Sequence, residues 1–259
     1  MRKWCIYIAT FLMLVSCEEI IDSGSEETTD EYLVVDALIT NESKRHLVRL
    51  TAPMATQNAT AEGVSGAVVV INDGDTTLVL EEDRQNPGDY YTPVFRAVFG
   101  KVYTLGIFYL GREYFGQATS AFGEPLKPVA TTDLEDGMRK YEYVATEAPS
   151  MQQVRIEWAE NGQQRALEGM YYTLNVVDIN RIFAPPKEEF EFPAGATITR
   201  RQFSLTDRHA EFLRSMLSET DWRGGFFDLA PGNVVTNLSE GARGFFAVCM
   251  VTSDSTLID

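Results

Sequence analysis

The residue with the most specific chemistry in this chain is Cys17, which closes the segment Leu14-Val15-Ser16-Cys17. A basic start and an apolar run over residues 4–15 precede it, and the run is shorter than the roughly 20 residues that a membrane-spanning helix needs. The small Ser16 suits a signal-peptidase cleft, and only a thiol can carry a thioether-linked diacylglycerol. The sequence therefore predicts a lipoprotein signal peptide over residues 1–16 and lipidation of Cys17, which attaches the mature chain to a lipid bilayer.

The two histidines, His46 and His209, form no recognisable catalytic or metal site. A three-histidine zinc site is excluded by number alone. Asp207 precedes His209 by two positions, but positions i and i+2 of a helix point to different faces, so the carboxylate is poorly placed to orient the imidazole. We expect His46 at the surface or at a sheet edge, and we predict no catalytic residue, no bound metal and no cofactor.

Other polar motifs also favour structural roles. Cys249 lies in an apolar run, which predicts a buried and unreactive thiol. Asn72-Asp73-Gly74-Asp75 lacks the alternating ligands and distal glutamate of a calcium loop, so a tight turn is favoured. The chain has 38 acidic residues, and a carboxylate pair for glycoside hydrolysis stays open because its spacing is set by the fold.

The charge balance of the chain limits the classes of partner that it can bind. The chain carries 22 Lys and Arg against 38 Asp and Glu, a formal net charge of −16. Such a chain repels phosphate backbones, so we expect no nucleic-acid binding. Residues 17–31 are rich in acids with Ser, Thr and Gly between them, and we interpret them as a tether between lipid and fold.

The secondary-structure elements that position these residues are predicted to be predominantly β-strands. Strand-like segments alternate with turn chemistry over residues 32–123, which predicts an immunoglobulin-like β-sandwich with hairpins around residues 72–75 and 110–111. Pro125 and Pro128 disrupt both periodicities, so residues 124–132 are predicted as a linker. Residues 133–259 are predicted as a β-rich domain with one amphipathic helix near residues 205–218, capped by Thr206.

Two aromatic-bearing segments are candidates for partner contact. They contain Phe190 and Phe192 between prolines and acids, and Trp222, Phe226 and Phe227 around a Gly-Gly pair. Glycine allows a loop to present large apolar side chains outward, and residues 184–195 are expected to form a long exposed loop. The alternative is that these rings close the core of the second domain.

Several motifs together resemble a known family. In chain order they are Leu33–Thr40, Val64–Val69, Gly88–Thr92, Gly100–Leu105, Gly224–Asp228, Asn233, Asn237-Leu238 and Gly241–Phe246. Their order resembles a family of Bacteroidota outer-membrane lipoproteins, domain of unknown function 4249, over nearly all of the mature chain. The resemblance implies a surface-facing lipoprotein, often encoded beside a TonB-dependent receptor, and supplies no established activity.

Two functions follow as expectations. The first is a non-enzymatic, lipid-anchored outer-membrane protein that faces the cell exterior and serves as an accessory or docking subunit of a TonB-dependent nutrient transporter. The second is a surface lipoprotein that binds glycans or hydrolyses polymers. The lack of a nucleophile-base or metal constellation favours the first.

Overall fold

A computed structural model describes residues 32–53, 60–174, 189–220 and 234–259. Sixteen strands in four sheets and one α-helix are found among these residues. The structure thus confirms the mainly β class, with an immunoglobulin-like sandwich first and a β-rich part with one amphipathic helix after it.

The first sandwich consists of a five-stranded and a four-stranded sheet. Sheet one has the order β15-β1-β2-β6-β5, formed by β1 (Leu33–Thr40), β2 (Leu47–Thr51), β5 (Glu81–Glu82), β6 (Asp89–Tyr91) and β15 (Ala242–Cys249). Sheet two has the order β4-β3-β7-β8, formed by β3 (Val68–Asn72), β4 (Thr77–Val79), β7 (Val102–Tyr109) and β8 (Arg112–Thr119).

Period-two alternation explains why these two sheets face each other. In β1, Leu33, Val35, Ala37 and Ile39 are buried on one face, and in β7 Tyr103, Leu105 and Ile107 are buried likewise. Successive side chains of a strand point to opposite faces, so each sheet directs one apolar face inward. Both sets belong to one hydrophobic core.

The predicted range 32–123 of this sandwich omits one of its strands. β15 pairs in parallel with β1, from Leu33↔Ala242 to Thr40↔Cys249. The close approach needs a glycine in β15: Gly244 has φ +96°, and a Cβ there would lie 2.0 Å from the Val35 oxygen. The first sandwich is completed from the other end of the chain, which local periodicity within residues 32–123 could not reveal.

The second sandwich also has two sheets. Sheet three has the order β13-β10-β9, formed by β9 (Ala130–Asp133), β10 (Met138–Glu142) and β13 (Glu191–Pro193). Sheet four has the order β12-β11-β14-β16, formed by β11 (Ser150–Glu160), β12 (Gln163–Thr173), β14 (Thr197–Ser204) and β16 (Val251–Leu257). Their shared core contains Tyr141, Val154, Ile156 and Ile198.

The segment predicted as a linker, residues 124–132, is packed against this second sandwich. Its end is already strand β9, and its backbone oxygens accept hydrogen bonds from sheet four, Glu124 from Gln202 at 3.1 Å and Lys127 from Arg200 at 2.8 Å. The prolines exclude regular strand pairing here, but side chains of β14 satisfy the carbonyls instead.

The single α-helix among the described residues, α1, spans Asp207–Thr220, close to the predicted 205–218. Thr206 caps it as predicted, since its Oγ1 accepts a hydrogen bond from the His209 N–H at 3.3 Å. Leu213 and Leu217 are buried against Phe203 of sheet four and Cys249 of sheet one. The helix therefore packs where the two sandwiches meet.

Polar contacts also join the two sandwiches. Asn41 donates to the Val251 oxygen at 3.2 Å and accepts from the Val251 N–H at 2.7 Å. The Arg201 guanidinium donates to both carboxylate oxygens of Glu42, at 2.8 and 2.6 Å. Because β15 ends at Cys249 and β16 begins at Val251, one residue carries the chain from the first sandwich into the second.

Candidate functional site

The two side chains most able to do acid-base or nucleophilic chemistry, His209 and Cys249, lie next to each other in uncharged forms. The Cys249 Sγ is 3.7 Å from His209 Nδ1, and the His209 ring stacks on Phe245 with centroids 5.0 Å apart. Burial raises the pKa of the Cys249 thiol to about 12 and lowers the pKa of His209 to about 4. At neutral pH the pair is a thiol and an imidazole, so it supplies no thiolate. The prediction of a buried Cys249 is confirmed, and its raised pKa agrees with an unreactive thiol.

A cavity of about 200 Å³ lies beside this pair, between the edge of β8, the start of α1 and β15. Its lining comprises Gln117, Ala118, Thr119, Thr206, Arg208, His209, Asn237 and Phe245 to Val248. Asn237 is fully engaged there, because its amide joins the backbone of Phe246 to that of Gln117. One side of the cavity is thus formed by Asn237, whose hydrogen bonds connect β8 of sheet two with β15 of sheet one.

His46 was expected at the surface or at a sheet edge, and it is instead buried just before the start of β2, with 1% of its surface exposed. Its Nε2 lies 3.2 Å from the Phe95 oxygen, and its ring makes an edge contact with Phe95 at 4.8 Å between centroids. Burial lowers the pKa of His46. The prediction of a surface position was wrong because the loop after β6 folds over this end of β2.

The acidic turn after β3 is closed by a lysine. The Lys101 Nζ donates to Asp73 at 3.0 Å and to Asp75 at 2.7 Å. Hydrogen bonds from the Thr76 N–H and from Lys101 lower the pKa of Asp73 to about 2. The expectation of a turn is confirmed. Across residues 32–53, 60–174, 189–220 and 234–259, no three His, Cys, Asp or Glu side chains converge as metal ligands.

The structure corrects two of the five predicted partner-contact residues. Phe190 and Phe192 are 7% and 0% exposed and belong to the core of the second sandwich, where the Phe190 ring meets Tyr171 edge-on at 6.0 Å. Phe192 lies in β13, which pairs with β10, and the two rings share one face because they are two residues apart. The alternation Glu189-Phe190-Glu191-Phe192 was the available signal for this inward orientation.

The remaining predicted site residues cannot be placed. Trp222, Phe226 and Phe227, predicted for partner contact, and Cys17, predicted for lipidation, lie outside the described residues. Within the part of the chain that is described, no helix combines the length and apolar character needed to cross a membrane.

Exposed apolar side chains gather instead at two places on the first sandwich, which sequence reasoning missed. The first, the junction cluster, comprises Val98, Phe99, Val102 and Phe122. Phe99 and Phe122 are 56% and 72% exposed and meet edge-on with centroids 6.0 Å apart. Beside Phe122, the Ala121 oxygen accepts a hydrogen bond from Ser204 of sheet four, so the cluster lies where the two sandwiches join.

The second place, the outer patch, lies on the solvent face of sheet two and comprises the exposed Val68, Val79, Phe108 and Phe115 with the half-buried Val70. Ladder pairing fixes their shared face, since Val68 lies opposite Phe108 and Val70 lies opposite both Val79 and Gly106. Gly106 in turn lies opposite Phe115. The signal in the sequence was the failure of alternation in β3 and β7, where apolar residues occupy both faces.

Comparisons with known proteins add a family and no activity. A family model described as "Domain of unknown function (DUF4249)" matches residues 18–255. No curated protein matches the chain.

The solved structures to which the chain is similar include three at 7–10% sequence identity. They are the FN1–FN3 domains of chicken CNTN1 (9% identity, TM-score 0.29, 68% of this chain and 63% of that one), a cytokine receptor complex (7%, 0.25, 87% and 95%), and a DUF4785 family protein of Legionella pneumophila (10%, 0.22, 66% and 51%). The chain thus spans less than two thirds of the CNTN1 fragment. At these TM-scores the likenesses carry no argument.

Proposed function

This chain belongs to the DUF4249 family, and from that premise we propose that it is a non-enzymatic accessory subunit of a TonB-dependent nutrient transporter. In this proposal Cys17 is acylated and holds the protein in the outer membrane of a Bacteroidota-type bacterium, facing the cell exterior. The two sandwiches then present a docking surface to the transporter.

The observation that carries the docking role is the junction cluster. Two phenylalanine rings in edge-to-face contact, each more than half exposed, leave apolar area in water that a partner can cover. Aromatic side chains dominate the binding energy of many protein interfaces, where a few anchors near the centre carry most of it. The Glu42–Arg201 pair and α1 also join the two sandwiches, which supports a fixed presentation of the cluster.

The chemistry of the candidate centres agrees with a non-enzymatic role. His209 and Cys249 are neutral at physiological pH, and the turn carboxylates Asp73 and Asp75 are paired with Lys101. The alternative, a glycan-binding or polymer-hydrolysing lipoprotein, stays a prediction, because no arrangement in the described ranges specifically favours it.

Co-purification with the receptor from detergent-solubilised outer membrane tests the docking role. Removing one aromatic anchor typically costs about 2 kcal/mol in binding, roughly a 30-fold loss of affinity. We expect Phe122→Ser to lose the receptor while its thermal midpoint stays near that of the wild type. Leu257→Ser is the matched control, because Leu257 is 62% exposed but lies in β16, outside both apolar surfaces. Equal recovery of receptor with both variants would remove the junction cluster from the docking surface.

Anchoring is tested separately. Cys17→Ala should abolish incorporation of radiolabelled palmitate and leave an uncleaved or soluble chain. Retention of the acyl label in that variant would refute lipidation at Cys17.

A further inference from the structure

The start of β1, where the chain enters the first sandwich, lies at the same end of the sandwich as the β7–β8 turn. The Leu33 N–H, at the start of β1, donates to the Gly241 oxygen at 3.0 Å, and a Cβ on Gly241 would lie 3.2 Å from the Tyr114 ring. Tyr114 follows the β7–β8 turn, Leu110-Gly111, by three residues. The start of β1 and this turn therefore occupy the same end of the sandwich, which we call the tether end.

The solvent face of sheet two is divided along its strands. Toward the tether end lie Phe108 and Val68, which are 48% and 55% exposed, and beyond them the turn residue Leu110, which is 78% exposed. Toward the opposite end the same face first becomes polar and then reaches Val102 of the junction cluster. There Asn72 donates to Thr77 at 2.7 Å, and Gln117 donates to Thr104 at 3.2 Å.

The outer patch is also electrically neutral, although the chain as a whole carries a formal charge of −16. Its charged neighbours next to the turn, Arg112 and Glu113, have opposite signs. An apolar surface with no excess of cations suits burial at a neutral or zwitterionic lipid interface, whereas attachment to anionic lipid would call for clustered Lys and Arg.

We propose that the outer patch and Leu110 rest on the lipid surface to which Cys17 is attached. This inference depends on the anchoring in the proposed function. Residues 17–31, between the anchor and the described fold, number fifteen and span at most about 50 Å. The anchor thus keeps the tether end within about 50 Å of the bilayer, and this end carries the apolar half of sheet two. The junction cluster, at the opposite end of β7, is left clear for a protein partner.

Fluorescence quenching by brominated phosphatidylcholine vesicles tests the orientation. A chain of residues 17–259 is coupled through Cys17 to a maleimide headgroup lipid, which replaces natural acylation. Cys249 is 0% exposed and does not compete for the maleimide. Tryptophan is introduced by Phe108→Trp in the outer patch or by Thr77→Trp on the polar half of the same face. The signal of the native tryptophans is subtracted with the parent protein.

We expect the fluorescence added by Phe108→Trp to be largely lost on brominated vesicles, and that added by Thr77→Trp to be retained. Phe115→Ser together with Val68→Ser should restore much of the Phe108→Trp signal. Equal quenching at both positions, or none at either, overturns the orientation even where palmitate labelling proves natural lipidation. A dimer that forms without vesicles and is broken by Phe115→Ser, with no quenching, would assign the patch to a second copy and also overturn it.

The two proposals fail separately. If Cys17→Ala leaves palmitate labelling unchanged while the chemically coupled protein still shows selective quenching of Phe108→Trp, lipidation at Cys17 is refuted and the affinity of the patch for lipid stands.

Discussion

Replacing Asn237 by alanine should destabilise the first sandwich, because this side chain hydrogen-bonds the backbones of β8 and β15 and so connects the two strands. Its Nδ2 donates to the Phe246 oxygen at 2.7 Å and to the Gln117 oxygen at 3.0 Å, and its Oδ1 accepts from the Phe246 N–H at 3.0 Å. Phe246 is 0% exposed, and its amide and carbonyl take these bonds. Alanine leaves both groups of Phe246 without the partner that Asn237 provides.

The magnitude follows from these three bonds. Each hydrogen bond contributes a net of about 1 kcal/mol, and a buried backbone group left unsatisfied costs about 1–3 kcal/mol. We therefore expect Asn237→Ala to lower the free energy of unfolding by about 3 kcal/mol, which corresponds to about 6–12 °C in Tm for a chain of this size.

Urea unfolding followed by circular dichroism measures this loss, with Asn86→Ala as the matched control. Asn86 donates one exposed hydrogen bond, to Asp83 at 2.9 Å, and its removal should change stability by no more than about 0.5 kcal/mol. The m-value should stay constant in both variants. An Asn237→Ala midpoint that matches that of Asn86→Ala would refute the role of this side chain as a closing element.

A charged substitution at the same position adds a pH test of the geometry. Asn237→Asp places a carboxylate, which only accepts hydrogen bonds, against the carbonyl oxygens of Gln117 and Phe246. This environment raises the pKa of the introduced carboxyl in the folded state. Its destabilisation is therefore full at neutral pH and is relieved as the pH falls through that raised pKa. A deficit that does not vary with pH would mean that the carboxylate does not face these oxygens.

Two further predictions concern the second sandwich and its junction. Phe192→Ala should lower the free energy of unfolding by about 3–5 kcal/mol, because the Phe192 ring is fully buried in the core of the second sandwich. Urea unfolding measures this loss. A loss below about 1 kcal/mol would contradict the core position of the ring. Burial alone would raise the pKa of Glu42, but hydrogen bonds from Lys44 and Arg201 outweigh it and lower the pKa to about 2. The carboxylate therefore contributes stability above its unfolded pKa, and this contribution is lost as the pH falls toward 2. Wild type should exceed Glu42→Gln in urea midpoint at pH 7, and the two should converge near pH 2; a constant difference would contradict the ion pair.

The local sequence was sufficient to predict the positions of the hairpins. The turn at residues 72–75 between β3 and β4, and the turn Leu110-Gly111 between β7 and β8, both lie where turn chemistry interrupts alternation. Asn161 and Gly162 adopt φ of +50° and +77° between β11 and β12, the backbone conformation that these residue types tolerate best. Each hairpin is specified within about twenty residues, so no knowledge of the rest of the fold is needed.

Pairing between distant strands was not accessible in the same way. β15 joins β1 across some two hundred residues of chain, and nothing in residues 32–123 marks the open edge of β1. The glycine that permits this approach, Gly244, stands in the sequence between Arg243 and an apolar run that begins at Phe245. Its role depends on the Val35 carbonyl that lies against it. Parallel pairing of this kind is a property of the assembled fold, and the predicted range 32–123 omitted β15 for that reason.

The assignment of aromatic residues shows why composition around a ring is a weaker guide than its place in a strand. Phe190 and Phe192 have acidic neighbours, which suggested exposure, but the acids occupy the outward positions of the same extended segment and the rings occupy the inward ones. In β7 the reverse holds, since Phe108 is outward although its neighbours are apolar. An aromatic side chain that follows the alternation of its strand lies in the core, and one that breaks it lies on the solvent face. On this chain that criterion selects Phe108 and Phe115 on sheet two, the face that the bilayer experiment probes.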